Sequence, residues 1–147
     1  MTSTYTSLHY HIVYSTKHRI PLISKSIIPE LHKYLAGATK GQKGHPIAIG
    51  GVEDHVHMLV SLPQSARIDY FIRDVKKESS KWMHGKGVLQ FEWQVGYAAF
   101  TVSPNVRQNV FGYVMKQESH HKKVSFIDEL KELLDSAGIR YDSKYLE

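Results

Sequence analysis

Two histidines separated by a single residue are the first feature of the sequence whose side chains could do chemistry. His55 and His57 flank Val56 within the apolar stretch 51–63, which reads GVEDHVHMLVSLP and predicts a β-strand. Successive side chains of a strand point to opposite faces, so both imidazoles would share one face, about 6.6 Å apart. They could therefore hold one metal ion, although two histidines on a half-buried strand are also common as plain hydrogen-bonded residues.

A tyrosine and a glutamine supply the second candidate group. Tyr113 and Gln117 are four residues apart in a segment with helical spacing, so they share one helix face. A phenol with a pKa near 10 is a poor nucleophile at neutral pH. A divalent cation bound to a phosphate would offset the charge that builds up as the phenolate attacks. The alternative is that Tyr113 is a packing residue of its helix.

The elements that must position these residues follow from hydrophobic periodicity. An alternating pattern over 8–15 predicts the first strand, and helical spacing over 27–38 predicts the first helix. A second strand at 45–52 pairs with the histidine strand, a second helix opens at Ser65, and 91–103 holds one or two strands. This order predicts an α+β sandwich of the ferredoxin-like or RRM-like type, with an antiparallel sheet.

Two further helices are predicted after the sandwich. A helix over about 104–121 carries Tyr113 and is added to the C-terminal side of the sheet. A last helix over about 126–137 begins at Ser125, which with Asp128 resembles a capping box, and ends before Gly138. We expect one domain covering residues 1–147, with no internal repeat or linker.

Composition limits the classes of protein that this chain can belong to. The 147 residues are 41% apolar, enough to bury a core, and 19 Lys+Arg against 14 Asp+Glu give a net charge of +5, which suits an anionic partner. The absence of cysteine excludes disulfides and thiolate metal sites. No apolar run approaches the roughly 20 residues of a membrane span, so we expect a cytoplasmic protein.

Four blocks of the sequence resemble one known family, the single-tyrosine transposases of the insertion sequence 200/605 group within the HUH superfamily. Residues 10–19 resemble the opening strand of that family, and 54–63 its metal-binding strand. Residues 96–103 resemble the strand before the catalytic helix, and 113–123 resemble that helix. The blocks occur in the family's order and cover nearly the whole chain.

The resemblance implies a DNA transposase that cleaves and rejoins single-stranded DNA at the ends of an insertion sequence. Tyr113 would be the nucleophile and would form a 5′-phosphotyrosine intermediate. His55, His57 and Gln117 would bind the metal ion, Mg²⁺ or Mn²⁺. Because a phosphotyrosine bond conserves the energy of the phosphodiester, the reaction would be strand transfer rather than hydrolysis.

The resemblance also implies partners. The substrates would be single strands with hairpins near their ends, and the protein would be a prokaryotic homodimer whose active sites are shared between subunits. Candidate DNA contacts are basic residues on the first turn, on one face of the second helix and at the end of the tyrosine helix, where solvated or helix-end roles are the alternatives. These residues are Lys17, Arg19, Arg73, Lys77, Lys81, His120, His121 and Lys122.

Two other functions fit parts of the sequence. An RRM-like module could bind nucleic acid without catalysis, although the consensus of RNA-recognition motifs is not found in this chain. A domesticated relative of the transposases could instead cut repeated palindromes. Neither alternative changes the predicted fold.

Overall fold

A four-stranded antiparallel sheet forms the centre of the protein, whose computed structural model describes residues 3–146. The strands are β1 (His9–Ser15), β2 (His45–Val52), β3 (His55–Ser61) and β4 (Ala98–Val102), in the order β2-β3-β1-β4. The histidine strand β3 is therefore internal and pairs with both β1 and β2. The predicted α+β class with an antiparallel sheet is confirmed.

Two long helices cover one face of this sheet. Helix α1 (Ile28–Gly41) and helix α2 (Ile68–Gly85) alternate with the strands in the predicted order strand, helix, strand, strand, helix, strand. Their apolar faces pack on every second residue of the two central strands, as the period of a strand requires. This packing forms the main core of the protein, to which the two central strands contribute Ile12, Tyr14, Val56, Met58 and Val60.

No helix within residues 3–146 is long and apolar enough to cross a membrane.

Three shorter helices cover the opposite face. They are α3 (Arg107–Met115), α4 (Gln117–His120) and α5 (Phe126–Ser136). His55 and His57 point to this face because Val56, between them, points into the main core. The second layer leaves both histidines with 0% exposure. The histidine pair is thus enclosed between the sheet and these three helices.

The segment predicted as one helix over 104–121 is divided in the structure. A 3₁₀ turn at Pro104–Val106 precedes α3, and the helix is interrupted at Lys116 before α4 begins. Lys116 has ψ of 20°, and its N–H bonds to the carbonyl of Tyr113, three residues back, which tightens the turn. Tyr113 and Gln117 therefore lie on two consecutive short helices.

Of two other predicted segments, one contains a single strand and the other agrees closely with the structure. The segment 91–103 forms a single strand, β4, preceded by an isolated bridge between Trp93 and Thr16. The last helix matches its prediction to within one residue, and the Ser125 hydroxyl accepts a hydrogen bond from the Asp128 N–H at its start.

Gly50 determines how closely the tyrosine helix approaches the sheet. A Cβ atom built on Gly50 in β2 would lie 1.9 Å from the carbonyl oxygen of Val114 in α3. That oxygen belongs to the backbone, so it cannot move without moving the helix. The absence of a side chain at Gly50 allows α3 to lie directly on β2, with Tyr113 next to the histidines.

We expect the substitution Gly50→Ala to destabilise the protein. The new methyl group would push α3 away from β2, and overpacking of this kind costs about 1–3 kcal/mol. At about 2–4 °C of melting temperature per kcal/mol for a protein of this size, thermal unfolding followed by circular dichroism would resolve the loss.

The matched control is Gly37→Ala in α1, where an added Cβ meets no atom within 4 Å. Alanine within a helix is favoured over glycine by about 0.5–1 kcal/mol, so this variant should be at least as stable as the natural chain. Equal melting temperatures for the two variants would contradict the role given to Gly50.

Candidate active site

The two histidines of β3 direct their Nε2 atoms towards side chains of α4 and α5. His55 Nε2 lies 3.1 Å from Gln117 Oε1, and His57 Nε2 lies 3.1 Å from Glu129 Oε1. The centroids of the two rings are 5.2 Å apart. The three residues predicted from the sequence as metal ligands therefore lie together, and their role as ligands stays a prediction.

The other ring nitrogen of each histidine has a partner that fixes the ring. His55 Nδ1 lies 2.7 Å from the carboxylate of Asp54, which precedes it in the β2–β3 turn. His57 Nδ1 lies 2.7 Å from His11 Nε2 on the neighbouring strand β1. Histidines that bind metals generally have such a partner on their second nitrogen, which sets the tautomer and the orientation of the ring.

The chemistry of the atoms that meet beside His55 fits a cation. When its Nδ1–H donates to Asp54, the neutral ring presents Nε2 as an acceptor. The amide nitrogen of Gln117 donates to the carbonyl of Tyr113, so the Oε1 of Gln117 faces His55. The carboxylate of Glu129 is 3.5 Å from the same His55 Nε2. Three acceptors thus converge, and a positive ion would satisfy all of them.

Glu129 is the central side chain that sequence reasoning missed. It is 1% exposed on α5, and its Oε1 lies 3.1 Å from His57 Nε2 and 2.9 Å from His121 Nε2. Its Oε2 lies 3.3 Å from His120 Nε2. Ligand atoms of one group of four side chains lie within 4.8 Å of one another, close enough to hold a metal ion. These are His55, His57, His121 and Glu129.

A signal for Glu129 was present in the sequence. The buried residues of α5 include Phe126 and Leu130, and a residue three positions after Phe126 shares its helix face. Glu129 occupies that position and is therefore an acidic residue on an apolar face. Such a residue needs a buried partner, and the histidines provide it.

Tyr113 lies at the edge of the same cluster. Its hydroxyl donates a hydrogen bond to Glu129 Oε2, and its ring meets those of His57 and His11 edge-on, at centroid distances of 5.6 and 5.9 Å. Burial raises the pKa of Tyr113, and the negative charge of Glu129 raises it further. The phenol therefore keeps its proton in this arrangement.

The protonation states of the surrounding groups follow from burial and from Glu129. Burial lowers the pKa of His57 to about 4, against the opposing effect of Glu129, and lowers that of His11 to about 3. Burial alone would raise the pKa of Glu129, but bonds from His121 and His57 hold it well below its usual range. Burial would also lower the pKa of His121, yet Glu129 raises it overall. At neutral pH, His57 is neutral, as a ligand must be.

Four of the predicted DNA contacts lie at or next to the cluster: Arg19, His120, His121 and Lys122. Arg19 and Lys122 line a cleft of about 400 Å³ together with Lys25 and His121. His121 connects this cleft to the centre because its Nε2 faces Glu129. The predicted helix-end histidines are thus directed towards the cluster: His121 bonds to Glu129, and His120 lies beside it.

The other predicted DNA contacts are not brought to the cluster. Lys17 is exposed and forms an ion pair of 3.3 Å with Glu92. Arg73, Lys77 and Lys81 belong to α2, which packs on the face of the sheet opposite the histidines. Any DNA bound by α2 would therefore lie on the other side of the sheet from Tyr113.

The fold is shared with two solved structures. A REP-associated tyrosine transposase bound to a REP hairpin superposes with a TM-score of 0.63 at 15% identity, over 84% of this chain and 76% of the other. A crystal structure of a Deinococcus radiodurans R1 protein described as a transposase has a TM-score of 0.63 at 20% identity, over 78% and 94%. This chain therefore shares its fold with both structures.

The family is established by sequence. The model of the family described as IS200-like transposases matches residues 4–117. ISDra2 transposase TnpA of Deinococcus radiodurans is 26% identical over 123 residues, which is 79% of this chain and 86% of that protein. The chain belongs to the IS200-like transposases and is an enzyme that acts on DNA. The matched segment includes His55, His57, Tyr113 and Gln117 but ends before Glu129.

We expect the metal-free protein to lose stability as the pH falls from about 6.5 to 5. His11 and His57 have lowered pKa values in the folded state, so the unfolded chain takes up more protons over this range. Each can contribute up to about 1.4 kcal/mol per pH unit. His121 acts in the opposite direction, because its raised pKa adds stability below pH 6.5 that is lost as the pH rises.

Melting temperatures measured in EDTA between pH 7.5 and 5 would check this balance. His11→Gln removes one of the groups with a lowered pKa, which also include His32, whose pKa burial lowers to about 4, and should flatten the dependence on pH. His45→Gln, at an exposed position of β2, should keep the slope of the natural chain. A slope for His11→Gln equal to that of the control would contradict the assignment.

Proposed function

We propose that this protein cleaves and rejoins single-stranded DNA at insertion-sequence ends through a 5′-phosphotyrosine on Tyr113. The observation that supports this most directly is that the Tyr113 hydroxyl and His57 Nε2 contact the same carboxylate. The phenolic oxygen would form a bond to the phosphorus, and the bond from that phosphorus to the 3′ oxygen would break. The released 3′-hydroxyl could later attack the phosphotyrosine and restore a phosphodiester without ATP.

The proposed metal centre uses His55, His57 and Gln117 with Mg²⁺ or Mn²⁺. A divalent ion there would neutralise the charge that develops on the scissile phosphate. Asp54 and His11 would hold the two imidazoles in the orientation that they have in this structure. The convergence of acceptor atoms beside His55 supports a cation at this place.

The proposed substrate is a single strand that carries a hairpin and enters through the cleft beside His121. Arg19, Lys25 and Lys122 line this cleft, and cations of this kind attract the phosphate backbone. The structural neighbour bound to a REP hairpin supports a hairpin-bearing substrate. We place the reaction in the prokaryotic cytoplasm and propose a homodimer whose active sites are shared between subunits.

The substitution Tyr113→Phe should abolish covalent attachment to DNA and leave DNA binding largely intact, because it removes only the nucleophilic oxygen. The measurement uses labelled single-stranded DNA from the flanks of the gene, with Mn²⁺ or with EDTA, on a denaturing gel. The natural chain should give a metal-dependent, protease-sensitive shifted band.

Tyr145→Phe is the control, since Tyr145 is 75% exposed near the end of the chain and should leave the band unchanged. A covalent band formed by Tyr113→Phe would rule out this nucleophile. Binding by the natural chain without any covalent band, across several flank lengths and both metals, would favour an RRM-like binding module.

The double substitution of Arg19 and Lys122 by alanine should weaken the binding of single-stranded DNA. If each cation contacts one phosphate, the slope of log affinity against log salt should fall by roughly 1.4 in total, at about 0.7 per contact. Fluorescence anisotropy at several salt concentrations measures both quantities.

The matched control is the double substitution of Lys77 and Lys81 by alanine, which removes the same charge from α2 on the opposite face of the sheet. We expect it to change affinity and salt slope little. The reverse pattern would mean that DNA binds along α2 and not in the cleft beside His121.

A further inference from the structure

We propose that Glu129 is an anionic ligand of the metal centre and gives it affinity for a divalent ion before DNA binds. This inference rests on the metal centre of the proposed function and adds a residue outside the segment that the family model matches. With His55, His57 and Gln117 alone, the ligand set would carry no charge, and the DNA phosphate would have to supply the first anionic ligand.

The distances fit a shared ion. Glu129 Oε1 is 3.1 Å from His57 Nε2 and 3.5 Å from His55 Nε2. Two ligands of one Mg²⁺ ion, bonded at about 2.1 Å each, lie at most about 4.2 Å apart. The carboxylate oxygen therefore already lies within the separation that ligation by both histidines requires.

Charge and burial support the same role. Glu129 is 1% exposed, and within residues 3–146 its ion-pair contacts are all with histidines. A buried carboxylate is costly unless it is paired with positive charge. Mg²⁺ and Mn²⁺ prefer oxygen ligands, carboxylates above all, so Glu129 is the ligand that best suits these ions in the cluster.

The two carboxylate oxygens of Glu129 face different groups. Oε1 faces the histidines of β3, whereas Oε2 accepts the hydrogen bond of Tyr113. His120 Nε2 lies 3.3 Å from Oε2 and is buried without a hydrogen-bond partner. This nitrogen is therefore available to donate a hydrogen bond or to bind a metal ion next to Oε2. Glu129 would thus set the position of the ion relative to the nucleophilic oxygen.

The test measures Mn²⁺ binding to the full chain without DNA, by the loss of the paramagnetic resonance signal of free Mn²⁺. The natural chain should bind Mn²⁺, and Glu129→Gln, which keeps the shape but loses the charge, should bind at least about tenfold more weakly. Loss of a residue that merely supports a ligand already costs about 10–100-fold. Glu132→Gln removes the same charge from the exposed face of α5 and should match the natural chain.

Circular dichroism and metal-free melting would show that Glu129→Gln is folded. Unchanged Mn²⁺ affinity in the folded variant would overturn the inference, and so would a natural chain that binds Mn²⁺ only with DNA. A second measurement needs no variant: anomalous scattering from a Mn²⁺-soaked crystal of the natural chain should place the ion about 2.2 Å from a Glu129 oxygen. An ion held by His55 and His57 without Glu129 would contradict it.

The two proposals can fail separately. Glu129-dependent Mn²⁺ binding without any covalent DNA adduct would leave this inference standing and remove the proposed transesterification. If the natural chain forms a metal-dependent adduct but Glu129→Gln binds Mn²⁺ as tightly as the natural chain, the proposed transesterification would stand. The role of Glu129 as a ligand would then be removed.

Discussion

Complete burial of two imidazoles on a central strand is the constraint on which the rest of the site depends. His55 and His57 have no access to water, so each ring nitrogen needs a partner within the protein. Asp54 and His11 satisfy the Nδ1 atoms from the sheet itself, by a turn residue and a neighbouring strand. The Nε2 atoms face the second layer, where Glu129 accepts from His57, whereas His55 Nε2 meets only the oxygens of Gln117 and Glu129. Polar contacts as well as apolar packing therefore restrict where the helices α3 to α5 can lie on the sheet.

The burial of the histidines affects Tyr113, the proposed nucleophile, through the close approach of α3 to the sheet. Val114 is buried against β2, and the missing side chain of Gly50 lets the backbone of α3 lie directly on that strand. Tyr113 precedes Val114 and is thereby directed towards the histidines. The turn at Lys116 then brings Gln117 over His55. The backbone contact between Gly50 and Val114 therefore helps to determine where the Tyr113 phenol lies.

Local patterns were sufficient to predict the parts of the site whose residues are close together in the sequence. Alternation along a strand placed His55 and His57 on one face, and the spacing of four residues placed Tyr113 near Gln117. The partners of the histidines were harder to predict because they depend on which elements pack together: His11 comes from another strand and Glu129 from the last helix. The separation of the α2 cations from the site likewise depends on which face of the sheet a helix covers, and periodicity within that helix does not contain this information.

The negative charge of Glu129 must be balanced both without a metal ion and with one. Without an ion, the carboxylate of Glu129 is compensated by His121, whose pKa is raised, and by hydrogen bonds from Tyr113 and His57. A divalent ion bound to the Nε2 atoms of the histidines would neutralise the negative charge of Glu129 more strongly than these contacts do. It would also require His57 to donate through Nδ1 instead of Nε2. His57 Nδ1 would then take the proton that His11 Nε2 donates, so His11 would become the acceptor. The proton displaced from His57 Nε2 is accounted for when His11 is protonated at Nδ1 instead, so that both rings stay neutral and the net charge of the pair does not change.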